Sequence, residues 1–344
     1  IGPDPASINA AMIGGIAANN ASGMCCGISQ NSYKTLKSMK LIFGDGTKLD
    51  TACEESKNSF RKTHGDFLKD LKSFSDDTKA NEELRAKIER KYKIKNTCGY
   101  SLNALIDFED EFEILEHLII GSEGTLAFIE EITYYTVEDL KDKASSLIYF
   151  KDISEACSAV TKLKLAKEAK TINVEAVELM DRAGLASIEN DPAMPAYIKD
   201  FNENITALLI ETRAVSDEQL DIQTAQIEDL LSEFNVVRDI YFTKDVAEYT
   251  LYWKIRKGLF PAVGAVRETG TTVIIEDVAY PIEYLAEATL ELQDLFKKHN
   301  YSEALIFGHA LEGNFHFVFT QDFSDAKEVK RYDDFMNDVV HSVA

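Results

Sequence analysis

From Ser145 onward the chain alternates short β-rich apolar runs with helical stretches, and this alternation limits the fold more than any other feature. Ser145–Phe150, Thr171–Val177, Ala207–Arg213, Val236–Phe242, Thr271–Val278, Ala304–His309 and Phe315–Thr320 all have strand length. They are rich in branched and aromatic residues, which suit a pleated, half-buried surface. Between most of them, as over 216–233 and 282–299, apolar residues recur every three or four positions, the period of a helix with one buried face. Single helices separating strands predict an α+β sheet with helices on one face. The pattern begins near Val137, which places a domain boundary near residue 138.

Residues 1–138 are composed differently. Gly, Ala, Asn and Ser dominate up to Gly27, and two strand-like runs, Leu36–Phe43 and Lys48–Thr51, flank a Gly-Asp-Gly turn that reads as a hairpin. From Glu54 to Asn96 the sequence is highly charged, with Phe60, His64, Phe67, Leu71 and Phe74 on one helical face. A second helix is expected from Asn81 to Lys91, and about 54–96 reads as a helical insertion on a sheet domain. A chain of 344 residues exceeds the roughly 250 that one core usually serves, and 45% apolar residues suffice for two. Both ends look cut: the chain opens on Ile1 and enters at once a motif-like GPDPASI, and Asp333–Ala344 reads as a helix stopped midway. The expectation is an internal part of a longer polypeptide.

Charge and cysteine content exclude several classes. A net charge of -22 disfavours wrapping nucleic acid or lying on an anionic membrane, because both require Lys and Arg to replace counterions. An acidic substrate would need a local basic pocket. Cys25, Cys26, Cys53, Cys98 and Cys157 form neither a disulfide framework nor a CxxC pair, so reduced thiols and a cytoplasmic location are expected. Peripheral attachment at the inner membrane face is left open, and so is a homodimer. No apolar run reaches the length of about 18 residues of a membrane span.

Neither GxGxxG opening a helix nor GxxxxGK[ST] occurs. Two other Gly-rich segments do: GPDPASINAAMIGGIAANNASGMCCG at Gly2–Gly27 and IIGSEGTLAFI at Ile119–Ile129. Small residues let backbone approach a ligand closely, and consecutive N–H groups can hold a pyrophosphate without cationic side chains. With a K(x)3GY-like element at Lys95–Tyr100 between them, their order resembles the vanillyl-alcohol oxidase, or PCMH, type of FAD-binding domain. The resemblance implies FAD contacts at Pro3, Gly14, Gly15, Asn19, Asn20, Ser22, Gly23, Gly121, Glu123, Gly124 and Thr125, with Ile132 on the adenine side. The family's earlier half, with its RGxGT-like loop, is missing, so residues 1–138 correspond to the second half of such a domain.

The segment FGHALEGNFHFVF at Phe307–Phe319 places two histidines seven apart. Along one straight strand they would face opposite ways, but a turn over Leu311–Asn314 can bring His309 and His316 together. Two histidines with a carboxylate and open positions form a common catalytic metal site. The segment resembles the GHxxDGNxH-like element of flavin-dependent D-2-hydroxyglutarate and D-lactate dehydrogenases, which implies a divalent metal such as zinc on His309 and His316. Glu312 stands where that element has Asp. A later Glu-His pair of these families, carrying another ligand and the catalytic base, would lie beyond Ala344. His64, His117, His299 and His341 read as surface or packing residues.

Tyr252–Pro281 resembles the cap segment in which an arginine meets the substrate carboxylate, followed by a strand with an acidic-Pro ending. Arg256 is the first candidate and Arg267 the second, since a guanidinium fork matches a carboxylate. Relatives that take hydroxyglutarate carry a Thr and a Lys where this chain has Phe260 and Ile275; Lys257 or Arg267 could substitute. In total the resemblance implies the second half of a PCMH-type FAD-binding domain over 1–138 and, over 139–344, a truncated antiparallel, ferredoxin-like cap domain. The implied activity is FAD-dependent, metal-assisted oxidation of D-2-hydroxyglutarate or D-lactate to the 2-oxo acid. Electrons would pass to a following iron–sulfur domain or a quinone-linked protein, not to NAD. The alternatives are a flavoenzyme of the same fold acting on glycolate, an ether-lipid precursor or another alcohol, and a non-enzymatic metal-binding or interaction domain.

Overall fold

A computed structural model of the chain describes residues 1–97, 99–190 and 194–344, with backbone alone over 260–266; Cys98 and the Phe260 side chain thus lie outside the described residues. Two compact units result, Ile1–Glu138 and Asp139–Ala344. Cys25, Cys26, Cys53 and Cys157 make no disulfide among the described residues, and no described helix is long and apolar enough to cross a membrane.

The first unit runs α1 (Ile13–Asn19), α2 (Ser32–Thr35), β1 (Leu36–Ile42), β2 (Lys48–Asp50), α3 (Glu54–Ala80), α4 (Glu82–Lys91), α5 (Ala104–Asp107), α6 (Glu111–Ile119) and β3 (Phe128–Tyr134). The strands form an antiparallel sheet in the order β2-β1-β3. Met39, Leu41 and Leu49 of the sheet pack with Phe60, Phe112, Leu115 and Ile119 of the helices. The buried stripe of α3 passes through Phe60, Leu68, Ser75 and Thr78, while Phe67 and Phe74 are exposed. Ser75 Oγ donates to the Leu105 carbonyl at 2.6 Å, so small hydroxyl side chains bring α3 close to α5. A stripe read only from apolar residues misses that contact. His64 sits at a kink in α3, stacked on Phe60 and bonded to Asp45.

The second unit runs β4 (Asp142–Phe150), α7 (Ile153–Glu168), β5 (Ala176–Met180), α8 (Arg182–Ile188), β6 (Thr206–Ala214), α9 (Asp217–Leu231), α10 (Val246–Val266), β7 (Thr272–Ala279), α11 (Leu285–Lys298), β8 (Leu305–His309), β9 (Asn314–Gln321) and α12 (Ala326–Val343). Six antiparallel strands lie in the order β4-β6-β5-β8-β9-β7. That order is mirror-like about the β5–β8 pair, because β4-α7-β5-β6-α9 and β7-α11-β8-β9-α12 repeat one βαββα plan. No sequence repeat announces this.

Alternation along each strand divides the side chains between two faces. On one, Ile148, Val177, Leu179, Leu208, Ile306, Phe315, Phe317 and Phe319 pack under α7, α9, α11 and α12. The other face is covered more thinly, by Leu185 of α8 and Ile255 and Leu259 of α10 over Met180, Leu209, Phe307 and Val318. Most helices therefore do share one face, and the opposite face retains room for polar groups.

Two expected strands differ. Thr171–Val177 pairs regularly only from Ala176, because Asn173 uses its side chain and its carbonyl to bond Arg213 and Thr212 beside β6. Val236–Phe242 forms no strand; it touches edge strand β4 through isolated bridges, Phe150 with Val236 and Ser145 with Thr243. Val236, Ile240 and Phe242 pack against the core while Val237 and Tyr241 are exposed, so the run keeps the alternation of a strand without its ladder.

Two stability measurements check these packings. Phe335 of α12 has no exposed surface and contacts the rings of Phe296, Tyr301, Phe317 and Phe319, so Phe335→Ala should cost about 3–5 kcal/mol in denaturant unfolding. Burial pushes the Glu116 carboxyl of α6 up from 4.5 to about 7. The unfolded chain then ionises first, and the folded state loses stability as pH rises through that window. Glu116→Gln should therefore gain stability relative to wild type between those two pH values and gain no more above them, seen as a pH-dependent difference in denaturant midpoints.

Candidate functional site

In the second unit the thinly covered sheet face carries a polar cluster. The β8–β9 hairpin turns through a short 3-10 helix, Ala310–Glu312, and Gly313 in the left-handed region at φ 62°. It pairs Phe307 with His316 and His309 with Asn314. Both histidines thus emerge on one face, with ring centroids 5.3 Å apart and nearly perpendicular planes. The Leu311–Asn314 turn does what a single straight strand could not.

A carboxylate stands beside Nδ1 of each imidazole. Glu178 of β5, opposite His309 in the register, places Oε1 at 2.7 Å from its Nδ1. Asp277 of β7, opposite His316, stands 3.2 Å from that Nδ1 and also accepts from the Asn314 amide. Carboxylate–imidazole contacts of this kind fix ring orientation and tautomer in metal-binding histidines. The donors fit two corners of a metal site. No group of three or more His, Cys, Asp or Glu that could hold a metal occurs among the described residues. Glu312 is turned elsewhere, 3.5 Å from Lys164 of α7.

Arg256 joins the same cluster from α10. It is only 5% exposed, lies over the Phe307 ring at 4.5 Å, and brings Nη2 to 2.6 Å from Glu178 Oε2. Burial by itself would raise the Glu178 pKa, but the charges of His309 and Arg256 prevail and hold the carboxyl down to about 2. Arg256 Nε is buried with no hydrogen-bond partner among the described residues. One turn earlier, Trp253 donates its indole N–H at 2.6 Å to Glu211, a second buried glutamate on β6. Two glutamates on neighbouring strands thereby anchor one face of α10.

Arg267 has a different place. It caps the C-terminal end of α10, is exposed, and donates to the Thr271 carbonyl. Lys257 and Ile275 are exposed as well, and Ile275 brings no charge to β7. Glu178, Asp277, Asn314 and the Trp253–Glu211 anchor were not picked out as site residues from sequence. Glu178 had a signal, a lone charge in the otherwise apolar strand AVELM, all of it buried. At the far end of the same sheet a cleft of about 830 Å³ is lined by Asp152, Asp181 and Glu203 facing Lys151, Arg182 and Lys297. None of Glu178, His309, His316, Asp277 and Arg256 lines it.

In the first unit the two Gly-rich segments meet. Gly121 N–H donates to the Ala17 carbonyl and Glu123 N–H to that of Ala18, while the Asn19 amide donates to Glu123 at 2.6 Å. Asn20, in the left-handed region, accepts from Tyr33 N–H. Gly124 has φ 74°, and a Cβ there or at Gly15 would meet nothing within 4 Å, so both present bare backbone to open space. Gly14 and Gly121 instead lie close to the carbonyls of Ile129 and Gly99. Gly23 touches Asp4, whose carboxylate accepts from Cys25 and Cys26 N–H and shapes the loop between Pro3 and Gly27. The Ser22 and Ser122 hydroxyls are buried without partners among the described residues. Thr125 bonds Tyr100, and Ile132 pairs with Met39 in the sheet, its side chain against the core. Exposed backbone beside partnerless hydroxyls fits one wall of a dinucleotide site.

Residues 140–344 match the family of FAD linked oxidases, C-terminal domain, and residues 1–52 match an FAD binding domain family. The chain is 29% identical over 233 residues to a mitochondrial D-lactate dehydrogenase [cytochrome] of Arabidopsis thaliana, an alignment covering 66% of the chain and 38% of that protein. It is 29% identical over 215 residues to a probable mitochondrial D-2-hydroxyglutarate dehydrogenase of Oryza sativa subsp. japonica, covering 59% and 34%. The chain therefore aligns with little more than a third of each of these relatives. Among solved structures, an alkyldihydroxyacetonephosphate synthase shares the fold with a TM-score of 0.61 and 16% identity, over 99% of this chain and 54% of that one.

The hairpin geometry can be probed at Gly308, where a Cβ would stand 2.4 Å from the Asn314 carbonyl oxygen and 2.7 Å from Phe315 Cα. Backbone cannot swing aside as a side chain does. Gly308→Ala should destabilise the protein by about 1–3 kcal/mol in denaturant unfolding.

Proposed function

Because the chain belongs to the FAD-linked oxidase family, we propose that its full-length protein oxidises a D-2-hydroxy acid, D-lactate or D-2-hydroxyglutarate, to the 2-oxo acid. The observation that carries this reading is the row Arg256–Glu178–His309, with His316 beside it on one sheet face. A 2-hydroxy acid presents a carboxylate next to a hydroxyl, and the row offers a group for each.

Arg256 takes the carboxylate with its planar fork of donors. Its buried Nε lacks a partner among the described residues, and a ligand oxygen there would remove the cost of an unsatisfied donor. Arg267, exposed and bonded to the loop after α10, is the weaker candidate. His309 and His316 would hold a divalent metal, zinc or similar, as two of its ligands. A metal held there supplies Lewis acidity that lowers the pKa of the substrate hydroxyl. FAD, when bound, supplies the acceptor for the hydride from Cα. Pro3, Gly14, Gly15, Asn19, Asn20, Ser22, Gly23, Gly121, Glu123, Gly124, Thr125 and, less directly, Ile132 form one wall of its site. The chain's own share in catalysis is orientation, with the carboxylate and hydroxyl fixed relative to each other before reaction. The catalytic base and further metal ligands are assigned to other parts of the polypeptide. Electrons then leave to an iron–sulfur or quinone-linked acceptor.

The test uses the full-length protein, with flavin absorbance and metal content recorded before substrate is added. D-lactate or D-2-hydroxyglutarate should bleach the flavin band and the L forms should not. His309→Ala and His316→Ala should each lose bound metal and lower turnover by about 100-fold or more. Absence of bleaching by every 2-hydroxy acid would sink the assignment, and a protein without a flavin band would favour a non-enzymatic role.

A further inference from the structure

Glu178 touches both halves of the proposed site. Oε1 holds His309 at 2.7 Å and Oε2 meets Arg256 at 2.6 Å, and the carboxylate has no exposed surface through which water could screen it. Although the arginine is close, Oε2 makes no directed hydrogen bond among the described residues, so charge more than alignment holds the two together. A partner of that kind can be exchanged for a better-aligned one.

Resting on the metal and carboxylate roles proposed above, we infer that Glu178 is a positioning residue that couples them by sharing one negative charge between His309 and Arg256. While Arg256 draws on Oε2, Oε1 is a weaker acceptor for the His309 Nδ1–H. When a substrate carboxylate takes the guanidinium, the full charge of Glu178 turns to His309 and makes its other nitrogen a stronger metal ligand. Linkage requires the converse: metal on the histidines draws Glu178 toward His309 and releases Arg256 for the substrate. The site then fills cooperatively, with acid favouring metal and metal favouring acid.

Cobalt(II), read through its visible absorption bands, is the probe for the full-length protein and its variants. Arg256→Met should bind cobalt at least about fivefold more tightly than wild type, the low end of ordinary coupling. The double variant Glu178→Gln with Arg256→Met should bind about 10- to 100-fold more weakly than Arg256→Met alone, as when a ligand's supporting contact is lost. The double variant replaces the single Glu178→Gln, which would leave Arg256 buried without a counter-ion and endanger folding. Binding in Arg256→Met that is unchanged or weaker overturns the coupling, and so does a double variant as tight as Arg256→Met. Wild type that takes up no cobalt, or His309→Ala that takes it up undiminished, overturns the metal reading itself, which separates that failure from failure of the coupling.

Discussion

A carboxylate with no exposed surface stays ionised inside a sheet only where partners offset its desolvation, and Glu178 meets the Arg256 guanidinium on one side and the His309 imidazole on the other. That requirement organises the second unit. His309 must come from the neighbouring strand in register, and Arg256 must come from a helix lying across the same face. Removing Glu178 would leave the buried Arg256 guanidinium without its counter-ion, so the cluster ties α10 to the sheet as well as forming the candidate site. The Trp253–Glu211 contact repeats the device one helical turn away and one strand over.

The mirror-like strand order explains where such a cluster can form. The pair β5–β8 lies at the join of two βαββα halves, and their helices α7, α9, α11 and α12 gather on one face. The face left over is covered by α8, α10 and the segment around Ile198, a smaller cluster than the main core, and the polar groups lie on that side. Gly308 and Gly313 keep the hairpin close to its neighbours, which aligns the two imidazoles instead of splaying them.

The first unit uses a different principle. It offers backbone and small side chains, with the left-handed residues Asn20, Glu123 and Gly124 shaping two turns that are stitched together through Asn19, Ala17 and Ala18. Backbone N–H groups of this kind can meet an anion without cationic side chains, which suits a chain of net charge -22.

Much of this was legible in the amino-acid order. Strand and helix periods gave most of the elements, because burial of one face imposes its period on the sequence. The His309–His316 spacing, the turn between them and the arginine of α10 could be named from local chemistry. Two segments misled for physical reasons: Asn173 bonds through its side chain ahead of β5, and Val236–Phe242 alternates like a strand but meets edge strand β4 only at isolated bridges. What the sequence by itself determined was which residues can pair, turn and carry charge. Only the tertiary structure decided that Glu178, 131 positions before His309, stands opposite it, that Arg256 rather than Arg267 arrives there, and that Glu312 turns to Lys164. The reason is that strand order and helix placement are set by packing over the whole sheet, and no local pattern encodes which distant strand becomes a neighbour.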